Sequence, residues 1–362
     1  MVIMSMYRNS PMSESTVTLG YKLKLYPTAN KAETLALLCA LFQRTHAEAT
    51  DRIAEAEGRC PSTKGRGEFI GKAYRRAFTD YRRTKKAGHT PGHLTAELID
   101  SAEIQSPRRA RGFDCWIMIR GTTTPRNRAG FYIPAKKHRA LNRTLALPGA
   151  ALNESAEVFR KNSKWYARVS VTVPLPDVQT PHGWLGCDIG ARAAVTRSDG
   201  YRGPDLRPIL NRQRDRRAMQ QKQGIDRSVE TSPQRQVLAK EARKTVSVAR
   251  RSGRGIALED PKRLIRWKGH AARYFAKRVG LLAALNGLSV ALIRPPYTSL
   301  TCSSCGWVEK RQRHKEMFRC WRCQFTHNAD VNASRNIRHR ACVATGVSHG
   351  SLSLSPGVGA VE

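Results

Sequence analysis

The chain has 362 residues, enough for two or three domains, and 40% of them are hydrophobic, so most of it is expected to fold. Lysine and arginine number 64 against 28 aspartate and glutamate residues, and the net charge of +36 favours nucleic acid as a partner over an anionic membrane. No apolar run approaches the ~18 residues of a membrane span, and no signal peptide is evident. We therefore expect a cytoplasmic protein with no membrane association.

The first predicted element is a strand at 17–25, in which apolar residues alternate with polar and basic ones. Apolar residues at helical spacing then predict helices over 31–57 and 68–86, and a third helical segment over 94–103. A basic linker, 106–111, ends this helical block.

The periodicity then changes to two residues, which predicts strands at 115–119 and 130–133 and a hairpin over 156–173. The hairpin is expected to turn near Asn162 and Ser163. The strand at 17–25 has no neighbour close in sequence, so we expect it to pair with these later strands. The helical block would then be an insertion into a small β-barrel.

From Trp184 onwards, strands and helices alternate, which is typical of an α/β layer. The predicted strands are 185–196, 255–259 and 289–294, and the predicted helices are 234–251 and 271–286. Residues 343–362 are rich in glycine and serine without periodicity, so this tail is expected to be disordered.

Two Cys-x-x-Cys pairs form the strongest local signal, and their members are Cys302, Cys305, Cys320 and Cys323. Four thiolates in two such turns close a tetrahedron around Zn²⁺, and Gly306 allows the tight turn after the first pair. The alternative is surface thiols spaced by chance. A four-cysteine zinc site leaves no open coordination position, so it is structural. The other five cysteines are scattered, as reduced thiols of a cytoplasmic protein are.

Acidic residues at the ends of predicted strands suggest a second kind of metal site. Asp188 shares a strand face with Gly186 and Gly190, which would clear that face for a metal and a phosphate backbone. The strand at 255–259 ends in Glu259 and Asp260, and only one of these can join Asp188 because adjacent strand residues point to opposite faces. The pattern does not decide between them. Alternatively, Asp188 lies beside a bulge and the acid pair is a solvated strand end.

A third acid, Asp330, is predicted in the first turn of a helix capped by Asn328. An acid at that position is also favoured by the helix dipole alone, which is the structural alternative. Three acids from two strands and one helix are suited to holding two divalent cations ~4 Å apart, and carboxylates favour Mg²⁺ or Mn²⁺. Such a pair activates water for phosphodiester hydrolysis.

These motifs carry a family resemblance when they are taken in order along residues 182–340. Gly-Cys-Asp-Ile-Gly at 186–190, Ile-Ala-Leu-Glu-Asp at 256–260, the cysteine pairs and Asp-Val-Asn-Ala-Ser-Arg-Asn-Ile at 330–337 together resemble TnpB (OrfB). TnpB proteins are RNA-guided nucleases encoded by insertion-sequence transposons and are related to compact type V CRISPR effectors. The combination of motifs is specific, whereas any one motif alone is not.

The resemblance implies an α/β plus β-barrel fold with a RuvC-like (RNase H-type) nuclease domain, an inserted four-cysteine zinc ribbon, a wedge β-barrel and a helical recognition lobe. It also assigns the catalytic acids to Asp188, Glu259 and Asp330, which selects Glu259 over Asp260. The implied boundaries are 1–30 and 115–180 for the wedge barrel, 31–114 for the recognition lobe, 181–342 for the nuclease domain, 298–327 for the ribbon and 343–362 for the disordered tail.

The implied function is RNA-guided DNA cleavage by a two-metal mechanism. The implied cofactors are structural Zn²⁺, catalytic Mg²⁺ or Mn²⁺ and a guide RNA. The implied partners are double- and single-stranded DNA. We expect the protein to be a monomer that acts at the prokaryotic nucleoid. The connection from Asp188 to Glu259 is short for the family. The short connection therefore leaves an alternative function, in which the chain is an RNA-guided DNA-binding protein with little cleavage that acts as a repressor or homing factor. A third interpretation is a zinc-ribbon nucleic-acid binder without a guide.

Two basic clusters are candidates for phosphate contacts. The first lies on the predicted helix at 68–86, where a merely solvated helix face is the alternative. The second lies just after the strand at 130–133. The residues are Arg75, Arg76, Arg82, Arg83, Lys85 and Lys86 in the first cluster and Lys136, Lys137 and Arg139 in the second.

Overall fold

A computed structural model describes residues 15–56, 131–222, 233–263 and 266–347, with short segments at 2–3, 73–75, 77–79, 96–97 and 115–119 and single residues 59, 62 and 113. The chain divides into two compact units. The first unit combines Met1–Ser13 with Leu175–Glu362, and the second is Glu14–Pro174.

The described elements follow the chain in this order: β1 (Val2–Ile3), β2 (Thr16–Lys24), α1 (Ala29–Glu55), β3 (Ala96–Glu97), β4 (Cys115–Ile119), β5 (Phe131–Ala135), α2 (Arg139–Leu145), β6 (Ala151–Lys161), β7 (Lys164–Pro174), β8 (Trp184–Asp188), β9 (Thr196–Arg197), α3 (Arg207–Lys222), α4 (Pro233–Arg251), β10 (Gly255–Glu259), α5 (Arg266–Ala284), β11 (Val290–Ile293), β12 (Arg313–His314), β13 (Met317–Arg319), β14 (Thr326–Asn328) and α6 (Ala329–Thr345).

The second unit contains an antiparallel sheet with strand order β2-β7-β6-β3. β2 pairs along its whole length with β7, which confirms the predicted long-range pairing of the first strand. The β6–β7 hairpin turns at Asn162 and Ser163, whose φ values of 47° and 59° match a two-residue turn of type I′. The apolar residues on alternate positions of β7 are buried, as the period of two requires.

Strand β3 corrects the prediction of a helical segment at 94–103 at residues 96 and 97, and the rest of that segment lies outside the described residues. Ala96 and Glu97 pair with the edge of β6, so a tertiary contact overrides the local helical pattern. Residues 73–75 and 77–79 are helical, as predicted, whereas the rest of the helix at 68–86 lies outside the described residues. β4 and β5 form a separate two-stranded sheet, and a bridge joins Leu25 to Ala135. The closed wedge β-barrel and the helical recognition lobe that the family resemblance implies remain predictions.

The first unit is built on a five-stranded sheet with the order β1-β11-β10-β8-β9. β8, β10 and β11 are parallel, while β1 and β9 pair antiparallel at the two edges. The predicted strand 185–196 is therefore two strands, because the chain reverses after β8 through a turn in which the Gly190 N–H donates to the Ala193 carbonyl. One face of the sheet packs on α4 and α5, with Leu185, Leu258 and Phe275 in the shared core.

Helix α6 covers the opposite face of this sheet. Ile337 and Ala341 pack on Trp184 and Ala257 in a second apolar cluster. The helix continues through Thr345 and ends at Gly346, whose φ of 67° suits a left-handed helix terminus. The predicted tail boundary at 343 is therefore wrong by a few residues, since Val343–Thr345 belong to the helix.

The cysteine-containing segment lies between β11 and α6 and forms a three-stranded sheet with the order β12-β13-β14. We call residues 302–328 the ribbon. Its position in the chain, just before the last described helix, agrees with the sequence prediction. Among the helices that the structure describes, none is long and apolar enough to span a lipid bilayer.

Candidate active site and metal-binding ribbon

Asp188 and Glu259 lie at the carboxyl ends of two neighbouring parallel strands. The register pairs Leu258 with Cys187, so Glu259 follows level with Asp188 on the adjacent strand. Asp188 lies on the same strand face as Gly186, and Glu259 on the same face as Ala257, which packs on α6. Both carboxylates therefore point to the α6 side of the sheet. The carboxyl edge of parallel strands is where α/β proteins place their ligands.

Asp260 turns away from this face. Its backbone N–H donates to the Ile293 carbonyl, and its Oδ1 accepts from the Lys262 N–H, 3.0 Å away. The carboxylate thus stabilises the short turn that follows β10. The geometry pairs Glu259, and not Asp260, with Asp188, which is the choice that the motif resemblance implied.

Asp330 reaches the same edge from α6. Asn328 caps the helix, and its Oδ1 accepts from the Asp330 and Val331 N–H groups. The helix runs antiparallel to β8, since Trp184 donates to Thr345 near the helix end while Gly186 faces Ser334. One turn from Ser334 to Asp330 is about 6 Å, and two strand residues from Gly186 to Asp188 are about 6.6 Å. Asp330 therefore extends over the Asp188 end of the strand.

The glycine at 186 has a different role from the one that the sequence suggested. A Cβ built on Gly186 would lie 2.1 Å from the Ser334 carbonyl oxygen and 2.6 Å from the Arg338 nitrogen. Because Gly186 has no side chain, the backbone of α6 can pack directly against β8. The space above Gly186 is therefore occupied by the helix and is not available to a metal ion or a phosphate. A Cβ on Gly190 would lie 3.3 Å from the Ala193 oxygen, a contact that the tight turn after β8 produces.

Each of the three carboxylates is buried and accepts a hydrogen bond. Asp188, Glu259 and Asp330 are only 6%, 9% and 8% exposed in a chain with a net charge of +36. The donors are the Ile189 N–H to Asp188 Oδ1 at 2.9 Å, the Thr298 hydroxyl to Glu259 Oε1 at 2.6 Å, and the Arg313 guanidinium to Asp330 Oδ1 at 2.9 Å. Donors from three different segments thus orient the acids.

The donor set suits a hard divalent cation. Oxygen ligands are those that Mg²⁺ and Mn²⁺ prefer, and a cation bound there would offset the cost of burying the carboxylates. The three carboxylates do not form a tight cluster, however. In the part of the chain that the structure describes, only the four ribbon cysteines bring three or more ligand atoms within 4.8 Å of one another.

The ribbon cysteines fit a tetrahedral zinc ion closely. Cys302 Sγ lies 3.7 Å from Cys323 Sγ, and Cys305 Sγ lies 3.6 Å from Cys320 Sγ. A tetrahedron with Zn–S bonds of about 2.3 Å has edges of about 3.8 Å, whereas a disulfide bond is only about 2.05 Å. Burial opposes ionisation of Cys320, but the N–H groups of Cys323 and Arg322 outweigh it and lower its pKa to about 7.

Replacing Cys320 with serine is expected to remove zinc and unfold the ribbon, because three thiolates and a hydroxyl hold Zn²⁺ poorly. Zinc content measured on the purified protein should fall from about one ion per chain to nearly none, with a lower unfolding temperature. Cys39→Ser is the matched control, since Cys39 lies in α1, far along the chain from the ribbon, and should leave the zinc content unchanged. Full zinc content in Cys320→Ser would contradict a four-cysteine site.

Two side chains of the ribbon connect it to the acidic edge. Arg313 on β12 forms the ion pair with Asp330. Glu316 pairs with Arg192, in the loop after β8, and its second oxygen lies 3.5 Å from Arg202. Arg192 beside Glu316 lowers the pKa of that carboxyl. No sequence pattern indicated Arg313, which is one of several basic residues in the ribbon, or the pairing of Glu316.

The predicted phosphate-contact residues lie elsewhere. Arg75, Lys136 and Arg139 are exposed and Lys137 is half-buried, all in the second unit. The remaining residues of the first cluster lie outside the described part of the chain; these are Arg76, Arg82, Arg83, Lys85 and Lys86. Their binding role stays a prediction.

Comparison with known proteins gives a local family match. Residues 273–337 match the family model described as Cas12f1-like, TNB domain. This segment includes the whole ribbon, its four cysteines and Asp330, but neither Asp188 nor Glu259. The match therefore covers the ribbon and the start of α6.

Two curated relatives show sequence similarity over part of the chain. The CRISPR-associated endodeoxyribonuclease Cas12f2 of Micrarchaeota archaeon (strain CG1_02_47_40) is 33% identical over 123 residues, covering 28% of this chain and 23% of the relative. Cas12f1 of Sulfoacidibacillus thermotolerans is 44% identical over 52 residues, covering 14% of this chain and 12% of the relative. The aligned part thus spans less than a quarter of either relative.

A solved structure is similar over nearly the whole chain. The cryo-EM structure of a Cas12f1–sgRNA–target DNA complex aligns with a TM-score of 0.55 and 13% identity, over 89% of this chain and 99% of that one. At this level of identity the likeness shows a shared fold. The chain accordingly has the fold of a Cas12f1 chain, together with a four-cysteine cluster in the segment that resembles the TNB domain.

Proposed function

We propose that the chain is an RNA-guided DNA endonuclease of the RuvC type, related to TnpB and Cas12f. The observation that carries the proposal is the placement of Asp188, Glu259 and Asp330 on one face, at the carboxyl edge of a parallel sheet. Three buried acids at one edge are costly in a protein unless a cation joins them. The surplus of 36 positive charges supports a nucleic-acid substrate.

The comparisons support the choice of guide and substrate. Both curated relatives are named endodeoxyribonucleases, and the structure with a TM-score of 0.55 contains an sgRNA and target DNA. We infer from them a guide RNA and a DNA target for this chain. A monomer and a cytoplasmic location stay predictions.

In the proposed mechanism, Asp188, Glu259 and Asp330 would hold divalent cations, which would supply an activated water and charge stabilisation for the leaving oxygen of a phosphodiester. The residues of the chain orient those ligands. The Thr298 hydroxyl fixes Glu259, and the Ile189 N–H fixes Asp188. Arg313, bound to Asp330, provides a guanidinium whose remaining donors match the geometry of a phosphate group. The ion pairs of Glu316 hold the ribbon beside the loop that follows Asp188.

A second candidate function is RNA-guided DNA binding with little cleavage. Two observations favour it: the three acids do not meet within 4.8 Å, and Asp330 is already paired with Arg313. A protein with these features would act through occupancy of its target. Its affinity for DNA would then not depend on the acids.

Guided cleavage in the presence and absence of Mg²⁺ separates the two candidates. RNA that co-purifies with the chain would be sequenced, its guide segment replaced, and the complex offered a plasmid with the matching target beside randomised flanking bases. We expect cleavage with Mg²⁺ or Mn²⁺ and none with chelator. Tight guided binding without cleavage would favour the second function. Absence of a defined co-purifying RNA would contradict both candidates and leave an unguided binder.

A further inference from the structure

Three side chains spaced four residues apart on α6 hold the segment 294–303, which joins β11 to the ribbon. They are Asn332, Asn336 and Arg340, and we call them the clamp. Each donates to backbone carbonyls of the segment. We propose that the clamp positions Glu259 at the acidic edge and makes that position depend on the zinc site. The inference rests on the proposed function, because Glu259 is one of its three acids.

Asn332 holds the ribbon end of the segment. Its Nδ2 donates to the Thr301 carbonyl at 2.8 Å, and its Oδ1 accepts from the Ser303 N–H at 2.8 Å. These two bonds lie on either side of Cys302, a predicted zinc ligand that is buried. Because the Ser303 N–H is a donor, it fixes which end of the amide faces it. The orientation of Asn332 and the position of a zinc ligand therefore depend on each other.

Asn336 holds the part of the segment that reaches Glu259. Its Nδ2 donates to the carbonyls of Thr298 and Thr301, at 2.9 and 2.6 Å, which uses both amide hydrogens. The Thr298 hydroxyl lies 2.6 Å from Glu259 Oε1 and 3.0 Å from the Pro295 carbonyl oxygen. Its single hydrogen goes to the carboxylate, because an ionised acceptor binds a donor more strongly. Asn336 thus sets where the hydroxyl donor to Glu259 lies.

Arg340 holds the start of the segment. Its Nη1 donates to the carbonyls of Arg294 and Pro296, at 3.1 and 2.7 Å. The next residue, Tyr297, has a φ of 66°, a left-handed conformation that a bulky residue keeps only where surrounding contacts impose it. The clamp supplies such contacts on both sides, at Pro296 and at Thr298. The turn that carries the hydroxyl donor to the acidic edge is therefore imposed by α6.

The burial of the two asparagines indicates a role beyond helix packing. Asn332 is fully buried and Asn336 is 3% exposed. Asparagine is a weak helix former, and a buried amide is costly unless its hydrogen bonds are made, so packing alone would favour apolar residues here. The same helix carries Asp330. Helix α6 thus holds one acid directly and a second through Thr298, so the clamp sets the position of Glu259 relative to Asp330.

Binding of Mn²⁺ tests the clamp without any cleavage. The full zinc-loaded chain, freed of co-purified RNA because RNA also binds Mn²⁺, is titrated and followed by electron paramagnetic resonance. Thr298→Val removes the hydroxyl at nearly constant volume and should raise the Kd for Mn²⁺ by about 10- to 100-fold, as the loss of a partner that orients a metal ligand does. Asn336→Ala should have a similar effect. Thr298→Ser keeps the hydroxyl and should bind within a few-fold of the parent.

Ser334→Ala is the matched control. Ser334 lies between the two asparagines and is fully buried, but its hydroxyl donates to the Val331 carbonyl within α6. The variant should keep the parental Kd for Mn²⁺. Unfolding temperatures are measured on every variant, because a clamp that only stabilised the segment would lower the unfolding temperature of Thr298→Val without changing its Mn²⁺ affinity.

The dependence on zinc has a test of its own, because coupling between two binding sites is reciprocal. Saturating Mg²⁺ should therefore tighten zinc binding by the parent, measured by competition with a zinc-selective fluorescent indicator, by about fivefold or more. The same addition should leave the zinc affinity of Thr298→Val unchanged, since the connection from Glu259 to the segment is broken. Asn332→Ala should weaken the binding of both metals.

The outcomes separate the clamp from the proposed function. Binding of Mn²⁺ by the parent that Asp188→Ala leaves unchanged would overturn the proposed function. Asp188-dependent binding that is unchanged in Thr298→Val, or equally weakened in Ser334→Ala, would overturn the positioning role of the clamp alone. Zinc affinity of the parent that does not respond to Mg²⁺ would overturn the coupling between the ribbon and Glu259.

Discussion

Replacing Asp188 with alanine is expected to abolish guided cleavage while leaving guided binding of the target intact. Asp188 is the carboxylate at the end of β8, level with Glu259 on the neighbouring central strand β10. Removing a carboxylate that would hold the catalytic cations should cost several kcal/mol of transition-state stabilisation, so the rate should fall by about 1,000-fold or more. Single-turnover cleavage of a labelled target measures the rate, and a gel-shift assay in Ca²⁺ measures binding.

Asp260→Asn is the matched control for this substitution. Asp260 follows Glu259 directly, but its carboxylate accepts from the Lys262 N–H and faces away from α6. Its variant should cleave within a few-fold of the parent. Cleavage by Asp188→Ala at the parental rate would refute the proposed mechanism. Loss of cleavage in Asp260→Asn but not in Glu259→Gln would instead assign the second acid to Asp260.

Replacing Gly186 with alanine is expected to have the largest effect on folding of any single methyl group added to the first unit. The new Cβ would lie 2.1 Å from the Ser334 carbonyl oxygen and 2.6 Å from the Arg338 nitrogen, and both are backbone atoms. Helix α6 must therefore shift as a whole. Overpacking of this kind costs about 3 kcal/mol or more. Thermal unfolding followed by circular dichroism should show a decrease of about 6–12 °C.

Gly183→Ala is the matched control, because it adds the same methyl group to a nearby glycine in the same unit. A Cβ on Gly183 meets no atom within 4 Å, so this variant should be as stable as the parent or slightly more stable. The Gly186 variant should also lose cleavage, because Asp330 moves with α6. Parental stability in Gly186→Ala would show that the helix does not pack on β8 as described.

The sequence predicted the elements whose periodicity is regular over many residues. The alternation from Trp165 to Val173 predicted β7 and its buried face, and the isolated strand at 17–25 predicted a long-range partner. The prediction that Gly186 and Asp188 share one face of the strand is also confirmed, since Leu185 and Cys187 lie in the core on the other face of the sheet. Paired Cys-x-x-Cys turns predicted a cluster whose sulfur atoms lie at zinc spacing.

The remaining features depend on contacts that no local pattern encodes. Ala96 and Glu97 pair with the edge of β6, which overrides the helical spacing around them. The prediction that Gly186 clears space for a metal was wrong, because the Ser334 carbonyl oxygen occupies that space. Ser334 is far from Gly186 along the chain, so no local pattern could indicate this contact. Arg313 is one basic residue among many, and only the three-dimensional structure shows that it contacts Asp330.

The order in which α6 and the strands occur along the chain has a consequence for protein synthesis. β8 and β10 leave the ribosome first with Asp188 and Glu259, while Asp330 and the helix that covers Gly186 follow after the ribbon. Domains fold as units while the chain emerges, so the sheet face stays uncovered until α6 has been made. A nascent chain therefore lacks the third carboxylate, and cleavage by the proposed mechanism begins only after the ribosome has translated the ribbon and α6.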